Sequence, residues 1–341
     1  MSTEKSDALT VKSSKALTTC SDFSPSADAD VWYADGSIIL VAEKTAFRVH
    51  SSILAANCEF FKIMLAIPQP APGSDTSMST EMYEGCPVVK MQDSAVDLRH
   101  FLKSIYYFDY FRAAMKVKFP VVAAVLRLSN KYDARHLGQR AVNLLATAYP
   151  STLLRWDDRD AQRLVPPFEG EHGAYIALAF ETDIRVILPA IYLALSRRPL
   201  EDALHTLRTL AVDSSVHWDV AADFVHGREK LFQEELKHVL AFLDAAFARP
   251  GCQSGNQCTP NLTNAARTAL KKAAGAEAYH QWCGANASEV GRSLTLCATC
   301  CVTVENAIRK GRKMVWEQLP GLFRLPDWET LTVRDELWSM E

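Results

Sequence analysis

The sequence has no apolar run approaching the roughly 20 residues that a membrane-spanning helix needs. Residues 1–26 are rich in Ser, Thr, Lys and Asp, and they hold no apolar stretch of the kind that a secretory signal requires. Net charge is also small, because 37 Lys and Arg residues are set against 40 Asp and Glu residues, which leaves −3. The one basic run, at 309–313, is typical of a solvated helix end. We therefore expect a cytoplasmic or nuclear protein with no membrane contact, and a nucleic-acid partner is disfavoured.

Sequence signatures of catalytic chemistry are missing as well. The chain has no Gly-rich phosphate loop, no His-Glu-x-x-His and no Gly-x-Ser-x-Gly. Its nine Cys and nine His residues could be combined into many Cys–His pairs of nucleophile and base, but no sequence signature selects one of them. We therefore expect a protein that is not an enzyme.

What is present is an ordinary globular composition. The 341 residues are 48% apolar and 23% charged, values close to the averages for soluble domains. A chain of this length can form two domains with substantial cores, so it needs neither disulfides nor a metal merely to fold. The odd number of cysteines, nine, indicates a reducing compartment with free or metal-bound thiols.

The order of sequence patterns in the N-terminal half predicts an α+β fold. Residues 1–27 have the polar composition of a disordered arm. Short β-rich runs lie between residues 31 and 49 and again at 87–91, with a polar loop expected at 67–86. Apolar residues at helical spacing dominate from residue 95 to residue 149. Strands followed by helices favour one α+β domain over 28–150.

The second half of the chain gives mainly helical signals. No strand pattern follows Pro150, and the clearest amphipathic stretch covers residues 228–248. We therefore predict a helical C-terminal domain over 151–341, with a cysteine-rich segment at 252–301.

Five stretches in the N-terminal third carry a resemblance to a known family. They are Asp30-Val31, Phe47–His50 with Ser51–Leu54, Phe60–Leu65, Phe101–Tyr107, and Leu128–Asp133. Residues 30–149 thereby resemble a BTB/POZ domain, in which helices flank a small β-sheet, and the domain is expected to cover 28–150. The resemblance implies a protein–protein interaction module, and such domains commonly self-associate.

The same resemblance assigns structural roles to several residues. An Asp and a His lie at the neck of such a domain. Asp30 is therefore expected to accept hydrogen bonds from nearby backbone groups. His50 is expected to be a hydrogen-bonded residue at a strand–helix junction and not a general base. Phe60, Leu102 and Leu128 are expected to meet in one core.

The C-terminal half is similar to the region that follows the BTB domain in proteins abundant in mushroom-forming fungi. The matching features are Leu296-Cys297-x-x-Cys300, Gly311-Arg312, Trp316-x-x-Leu319-Pro320 and Phe323-x-Leu325-Pro326-x-Trp328-x-x-Leu331. This similarity implies no known activity. The apolar residues of this tail form either an exposed partner-binding motif or a clamp over the helices, and the clamp is the commoner arrangement.

Two further functions follow from the family resemblance. One is a substrate-recruiting adaptor that binds a cullin scaffold in a ubiquitin ligase through a hydrophobic-x-Glu loop. Met82-Tyr83-Glu84 fits that loose pattern, and an ordinary loop is the alternative interpretation. The other is a BTB-type transcriptional regulator.

The late cysteines are the one cluster with chemical content. Four of them, Cys252, Cys258, Cys297 and Cys300, form two close pairs that could supply the four thiolates of a structural zinc site. The alternative is a set of inert thiols, since Cys297 lies on an apolar helical stripe where Cys packs as a small hydrophobe. Cys300 lies off that stripe, so packing alone does not account for it.

Overall fold

The computed structural model of the chain describes residues 25–67, 81–112, 114–213, 218–244, 247–273, 290 and 292–336. In this part of the chain the protein has a mixed α+β fold, with a small curled sheet near the N-terminus followed by helices. The predicted α+β class is confirmed at this level. Several sequence predictions fall outside the described residues: most of the arm at 1–27, most of the loop at 67–86, and residues 274–289 of the cysteine-rich segment.

The sheet has five strands in the spatial order β1-β3-β2-β5-β4. Leu40 and Phe47 are paired across the antiparallel strands β2 and β3, and Leu40 is also paired with Val89 of the parallel neighbour β5. The strands are β1 (Ser26–Trp32), β2 (Ile38–Ala42), β3 (Thr45–Val49), β4 (Met82–Tyr83) and β5 (Cys86–Met91).

Two strand boundaries differ from the sequence prediction. β1 begins at Ser26, so the last two residues of the predicted arm belong to the sheet. β4 and the start of β5 occupy the end of the predicted loop, joined by a tight turn with positive φ at Glu84 (48°) and Gly85 (77°). A two-residue turn with positive φ at both positions matches the twist of a hairpin, and Glu at the first position weakens the sequence signal for it.

β2 shows why these residues form a central strand. All five of its residues are buried, and their side chains alternate between two apolar clusters. Ile38, Leu40 and Ala42 join the main core, whereas Ile39 and Val41 lie on the other side of the sheet. A run of β-branched and aliphatic residues suits a strand with neighbours on both faces.

Helices cover one face of the sheet and continue the N-terminal half. The Ser94 hydroxyl accepts a hydrogen bond from the Asp97 N–H (3.0 Å) and so caps the first turn of one helix. Pro120 lies at the first turn of another, where its missing N–H costs nothing. The helices are α1 (Ser51–Asn57), α2 (Glu59–Ala66), α3 (Ala95–Tyr106), α4 (Phe119–Tyr132) and α5 (Arg135–Ala146).

The described residues beyond Pro150 form helices and loops, as the sequence predicts. The predicted continuous helix over 228–248 is wrong in its second half. The α-helix ends at Glu234 and gives way to a π-helical turn, Glu235–Val239, and a short 3₁₀ turn, Ala241–Leu243. The α-helices are α6 (Leu153–Gln162), α7 (Glu171–Glu181), α8 (Leu188–Ser196), α9 (Leu200–Asp213), α10 (Trp218–Glu234), α11 (Gly255–Ala273), α12 (Ala298–Leu322) and α13 (Trp328–Glu336).

One apolar core extends through both halves of the chain. Buried residues from Val31 to Leu331 belong to a single cluster, which includes Leu102 and Leu128 as expected. The prediction for Phe60 is wrong, because its side chain is 46% exposed and its neighbour Phe61 is the buried one. The reason is the helical spacing of α2, which turns adjacent residues to different faces.

The aromatic tail packs against the helices. Trp316 and Phe323 are buried, and the Trp328 indole N–H donates to the Trp316 carbonyl (2.8 Å). Trp316 and Trp328 stack with ring centroids 5.6 Å apart, and Leu331 is buried beyond them. These contacts confirm the clamp.

The basic run lies in the middle of α12 and not at a helix end. Arg312 pairs with Asp157 of α6, and Arg309 pairs with Glu305 one turn earlier on α12 (2.6 Å). Lys313 lies 3.8 Å from Glu317. Acidic neighbours thus neutralise much of the run. None of the helices in the described part of the chain combines the length and the apolar character needed to cross a membrane.

Candidate metal centre

Four cysteines converge where the start of α11 meets the start of α12. Cys252 follows Gly251, whose φ of 75° turns the chain sharply, and Cys258 lies in the first turn of α11. Cys297 is the residue that caps α12, and Cys300 lies in its first turn. The two predicted pairs, separated by 38 residues of chain, are therefore brought together in space.

The four sulfur atoms are spaced closely enough to hold one metal ion. All four Sγ atoms lie within 4.8 Å of one another. A tetrahedral zinc ion bonded to four sulfurs at about 2.3 Å separates those sulfurs by about 3.8 Å, so only a small contraction is needed. Cys258 and Cys300 are buried, while Cys252 and Cys297 are partly accessible.

The pKa values of Cys258, Cys297 and Cys300 shift in different directions, because their local surroundings differ. The backbone N–H of Cys297 donates to the Cys258 sulfur (3.2 Å). Backbone N–H groups of Cys300 and Gln253 point at the Cys297 sulfur and lower its pKa to about 6. Burial raises the pKa of Cys300. For Cys258, the backbone N–H of Cys297 and the Cys300 thiol lower the pKa, but desolvation and the hydrogen bonds with the Cys297 and Cys252 thiols outweigh them, so the net shift is upward.

Four close thiols with backbone N–H groups directed at two of their sulfur atoms are suited to binding a metal cation as thiolates. Metal ions bind thiolates, so a metal that enters the cluster displaces the protons held by its buried members. Backbone N–H groups directed at sulfur atoms are the kind of outer contact that stabilises such thiolates. The cluster has ligands and supporting donors for a metal.

The burial of the cysteines on α12 differs from what the inert-thiol interpretation predicts. That interpretation placed Cys297 on the apolar stripe of its helix and left Cys300 off it. In the structure Cys300 is the buried one, and Cys297 is partly exposed. Cys301, the next residue, is not a member of the cluster, and its thiol donates to the Leu296 carbonyl (3.5 Å).

The predicted partner-binding residues Met82 and Glu84 lie in the β4–β5 hairpin, away from the cysteines. The Met82 side chain is 57% exposed. Glu84 is exposed at the turn, and its carboxylate forms an ion pair with Arg48 of β3 (3.1 Å). A partner that binds Glu84 must therefore share it with Arg48 or displace Arg48.

His50 lies at the junction of β3 and α1, where the sequence predicts a structural residue. Its Nδ1 lies 3.2 Å from the Tyr106 hydroxyl, and its Nε2 lies 3.2 Å from the Asp35 carboxylate. The Tyr33 ring stacks on Tyr106 beside it (centroids 4.6 Å apart). These contacts hold the imidazole in place, in agreement with the prediction.

The acceptor role predicted for Asp30 belongs to Asp28. The buried Asp28 carboxylate accepts the backbone N–H groups of Asp30 and Val31 (3.0 Å each) and pairs with Arg99 (2.6 Å). The Asp30 carboxylate instead pairs at the surface with Lys103 (2.9 Å), and this contact lowers its pKa. The irregular pairing of β1 between residues 27 and 32 shifts the strand, which the sequence pattern does not reveal.

Comparison with known proteins adds no assignment. No protein-family model, curated protein or solved structure matches the chain. Its function has to be inferred from its own residues and their geometry.

Proposed function

We propose that the chain is a non-catalytic protein–protein interaction protein of the BTB/POZ type. Its interaction module covers 28–150, and a helical C-terminal domain over 151–341 is stabilised by zinc in the segment 252–301. The small sheet flanked by helices and the hydrogen-bonded His50 support this assignment.

The observation that carries the proposal is an apolar face on α2. Phe60 and Ile63 of α2 and Ile67, the residue that caps its C-terminal end, recur at a spacing of three and four residues, and each is about half exposed or more (46%, 59% and 58%). Contiguous exposed apolar residues typically mark a surface that docks another protein. The occupant is another polypeptide or a second copy of this chain.

A charge placed on this face tests the proposal. In the full chain, Ile63→Asp should reduce the amount of protein that is captured from cells, and it should abolish any self-association seen by light scattering. The reason is that burying an unpaired carboxylate in an interface has a large free-energy cost. Leu154→Asp, at a 76% exposed position of α6, is the matched control. Identical capture and identical mass for both variants and the unaltered chain would refute the role of α2.

We further infer that the cysteine cluster binds zinc. Four thiolates favour a soft or borderline cation in tetrahedral geometry, and zinc satisfies both conditions. All four positions would be filled by protein ligands, so the ion would be structural and not catalytic. It would tie the start of α11 to the start of α12.

Elemental analysis of the purified full chain tests this inference. We expect about one zinc per chain, as in other four-thiolate sites. Cys300→Ser should lose the metal, whereas Cys301→Ser, one residue away and not in the cluster, should retain it. A metal-free chain after purification under reducing conditions would contradict the inference, as would equal loss in both variants.

A second candidate function is a substrate-recruiting adaptor of a cullin-type ubiquitin ligase. The exposure of Met82 and of Glu84 at the hairpin favours it. Binding of a recombinant cullin to the full chain should weaken in Met82→Ser and in Glu84→Gln. Glu43→Gln, at an exposed turn position with a similar φ (54° against 48°), is the control. Absence of binding by the unaltered chain removes this candidate.

A further inference from the structure

The four thiols of the candidate metal centre are not equally protected from solvent. Cys258 and Cys300 are 0% and 1% exposed, whereas Cys252 and Cys297 are partly accessible. Ala298, the residue after Cys297, is exposed at the first position of α12. Two of the four sulfur atoms can therefore meet small solutes in the surrounding water.

The accessible Cys297 lies beside a buried thiol with which it can form a bond. Cys297 caps α12 and Cys300 lies in its first turn, with two residues between them, and their Sγ atoms lie within 4.8 Å of each other. Residues three apart on a helix have Cβ atoms about 5–6 Å apart, so a small contraction brings two such sulfurs to bonding distance. Pairs at this spacing are a common form of redox-active thiol. The other accessible thiol, Cys252, lies before the start of α11 and has five residues between it and Cys258.

A bound metal would keep the accessible sulfur nucleophilic. The thiolate is the reactive form of cysteine, and zinc binds its cysteine ligands as thiolates. Cys58, in the N-terminal half, has the opposite character: it is 1% exposed, and burial raises its pKa to about 12, so its thiol stays protonated. A small oxidant should therefore react at the cluster before it reacts at Cys58.

We propose that the zinc-loaded cluster is a peroxide-reactive site, in which hydrogen peroxide oxidises Cys297 and the oxidised sulfur then forms a disulfide with Cys300. The proposal rests on the zinc binding inferred above and adds a reaction to it. Disulfide formation releases the metal, and the start of α11 is then no longer tied to the start of α12 through it.

The reaction is balanced with hydrogen peroxide as its only co-reactant. The Cys297 thiolate attacks one peroxide oxygen, so that an S–O bond forms, the O–O bond breaks and hydroxide leaves. The Cys300 thiolate then attacks the Cys297 sulfur, so that an S–S bond forms and a second hydroxide leaves. The two sulfurs together lose two electrons, which reduce the peroxide, and both hydroxides take up protons from the solvent. Zinc keeps two of its four ligands, too few for a closed structural site, and dissociates.

Oxidation of the zinc-loaded full chain tests the proposal. Hydrogen peroxide is added in equimolar amount once elemental analysis has confirmed the zinc content, and released zinc is followed with a chelating dye. Trypsin leaves Cys297 and Cys300 on the peptide 293–309 and the other two cluster cysteines on a different peptide, so mass spectrometry separates the pairs. We expect one zinc released for each peroxide consumed, and loss of two hydrogen atoms from the peptide 293–309. A thiol reductant with added zinc should reverse both changes.

Two variants identify the reacting cysteine. Cys297→His keeps a fourth metal ligand, because three cysteines and one histidine form a common zinc site, but it cannot form the disulfide. This variant should bind zinc and lose both the peroxide-induced release and the mass change. Cys301→Ser is the control, since Cys301 is a partly accessible thiol on the same peptide and outside the cluster. It should respond to peroxide as the unaltered chain does.

Failure of this proposal is distinguishable from failure of zinc binding. A chain that takes up no zinc when the metal is supplied refutes both inferences. A chain that holds zinc and keeps it in equimolar peroxide, with the peptide 293–309 unchanged in mass, refutes the oxidation alone. Two further results also refute the oxidation proposal: a disulfide that includes Cys252, Cys258 or Cys301, and zinc release from Cys297→His at the rate of the unaltered chain.

Discussion

Single glycines decide how closely helices approach in this protein. Gly311 of α12 lies against the backbone of His238 in the π-helical turn, so close that a Cβ atom added to Gly311 would overlap the His238 carbonyl. Gly227 of α10 has the same relation to the Phe323 ring. A backbone segment shifts less easily than a side chain, so a larger residue is tolerated less well at Gly311 than at Gly227.

Gly311→Ala should therefore destabilise the protein. We expect the free energy of unfolding to fall by about 2–4 kcal/mol, because α12 or the turn must shift in a packed interior. Gly321→Ala, in the same helix with open space around its Cα, should instead be neutral or stabilising by about 0.5–1 kcal/mol. Urea denaturation of both variants measures the difference, and equal effects would contradict the close approach.

Partly buried histidines predict a pH dependence at the residue scale. Burial lowers the pKa of His172 on α7, and it does the same for His100 and His136. Above the pKa of an unfolded histidine, near 6.5, both states are neutral and these groups leave stability unchanged. As pH falls below that value the unfolded chain takes up protons that the folded chain resists, so stability decreases.

The urea midpoint should accordingly drop between pH 7 and about pH 5.5. His172→Gln should make this drop shallower, because one of the groups that prefers the unfolded state when protonated is gone. The same substitution at the exposed His205 of α9 is the matched control. An equal change of slope in both variants would show that the burial of His172 is not the cause.

At the scale of elements, the proposed zinc site predicts a local response to metal removal. The metal would hold the start of α11 and the start of α12, so a chelator should raise amide hydrogen exchange at 252–262 and 297–304. Exchange in β2 and β3 should stay the same, since these strands belong to the main core. Faster exchange throughout the chain would contradict a local role for the metal.

Elements with strong local signals could be predicted from sequence, and those set by distant contacts could not. β2 has five apolar residues in a row, and Ser94 marks a helix start, so both follow from local chemistry. The break after Glu234 depends on the approach of Gly311, which is 77 residues away. The irregular pairing of β1 likewise depends on β3.

The candidate site divides in the same way. Sequence spacing identified each cysteine pair, because spacing is a local property: Cys297 and Cys300 are separated by two residues, within one helical turn, and Cys252 and Cys258 by five, which is wider than is usual for a zinc-binding pair. That the pairs meet depends on the path of the chain between them, which the sequence pattern does not give. Cys300 is buried although it lies off the apolar stripe of α12. At this end of the helix the cysteine cluster, and not the apolar stripe, determines which side is buried.

At the scale of the whole molecule, the shared core predicts cooperative unfolding. The Val117 N–H donates to the Leu164 carbonyl (2.9 Å), and the Leu164 N–H donates to the Thr147 hydroxyl (3.0 Å). Such contacts connect segments on both sides of Pro150. We expect one calorimetric transition, with far-UV and tryptophan signals that coincide. Two separated transitions would show that the halves are stable independently.

The position of Trp316 has a consequence for biosynthesis. Its ring packs against Trp156 (centroids 5.7 Å apart), and that partner leaves the ribosome 160 residues earlier. Until α12 emerges from the exit tunnel, Trp156 lacks this cover, and the nascent helices carry an unfilled apolar surface. Chaperones that recognise aromatic side chains should therefore stay bound to ribosome-attached chains until α12 has emerged from the tunnel.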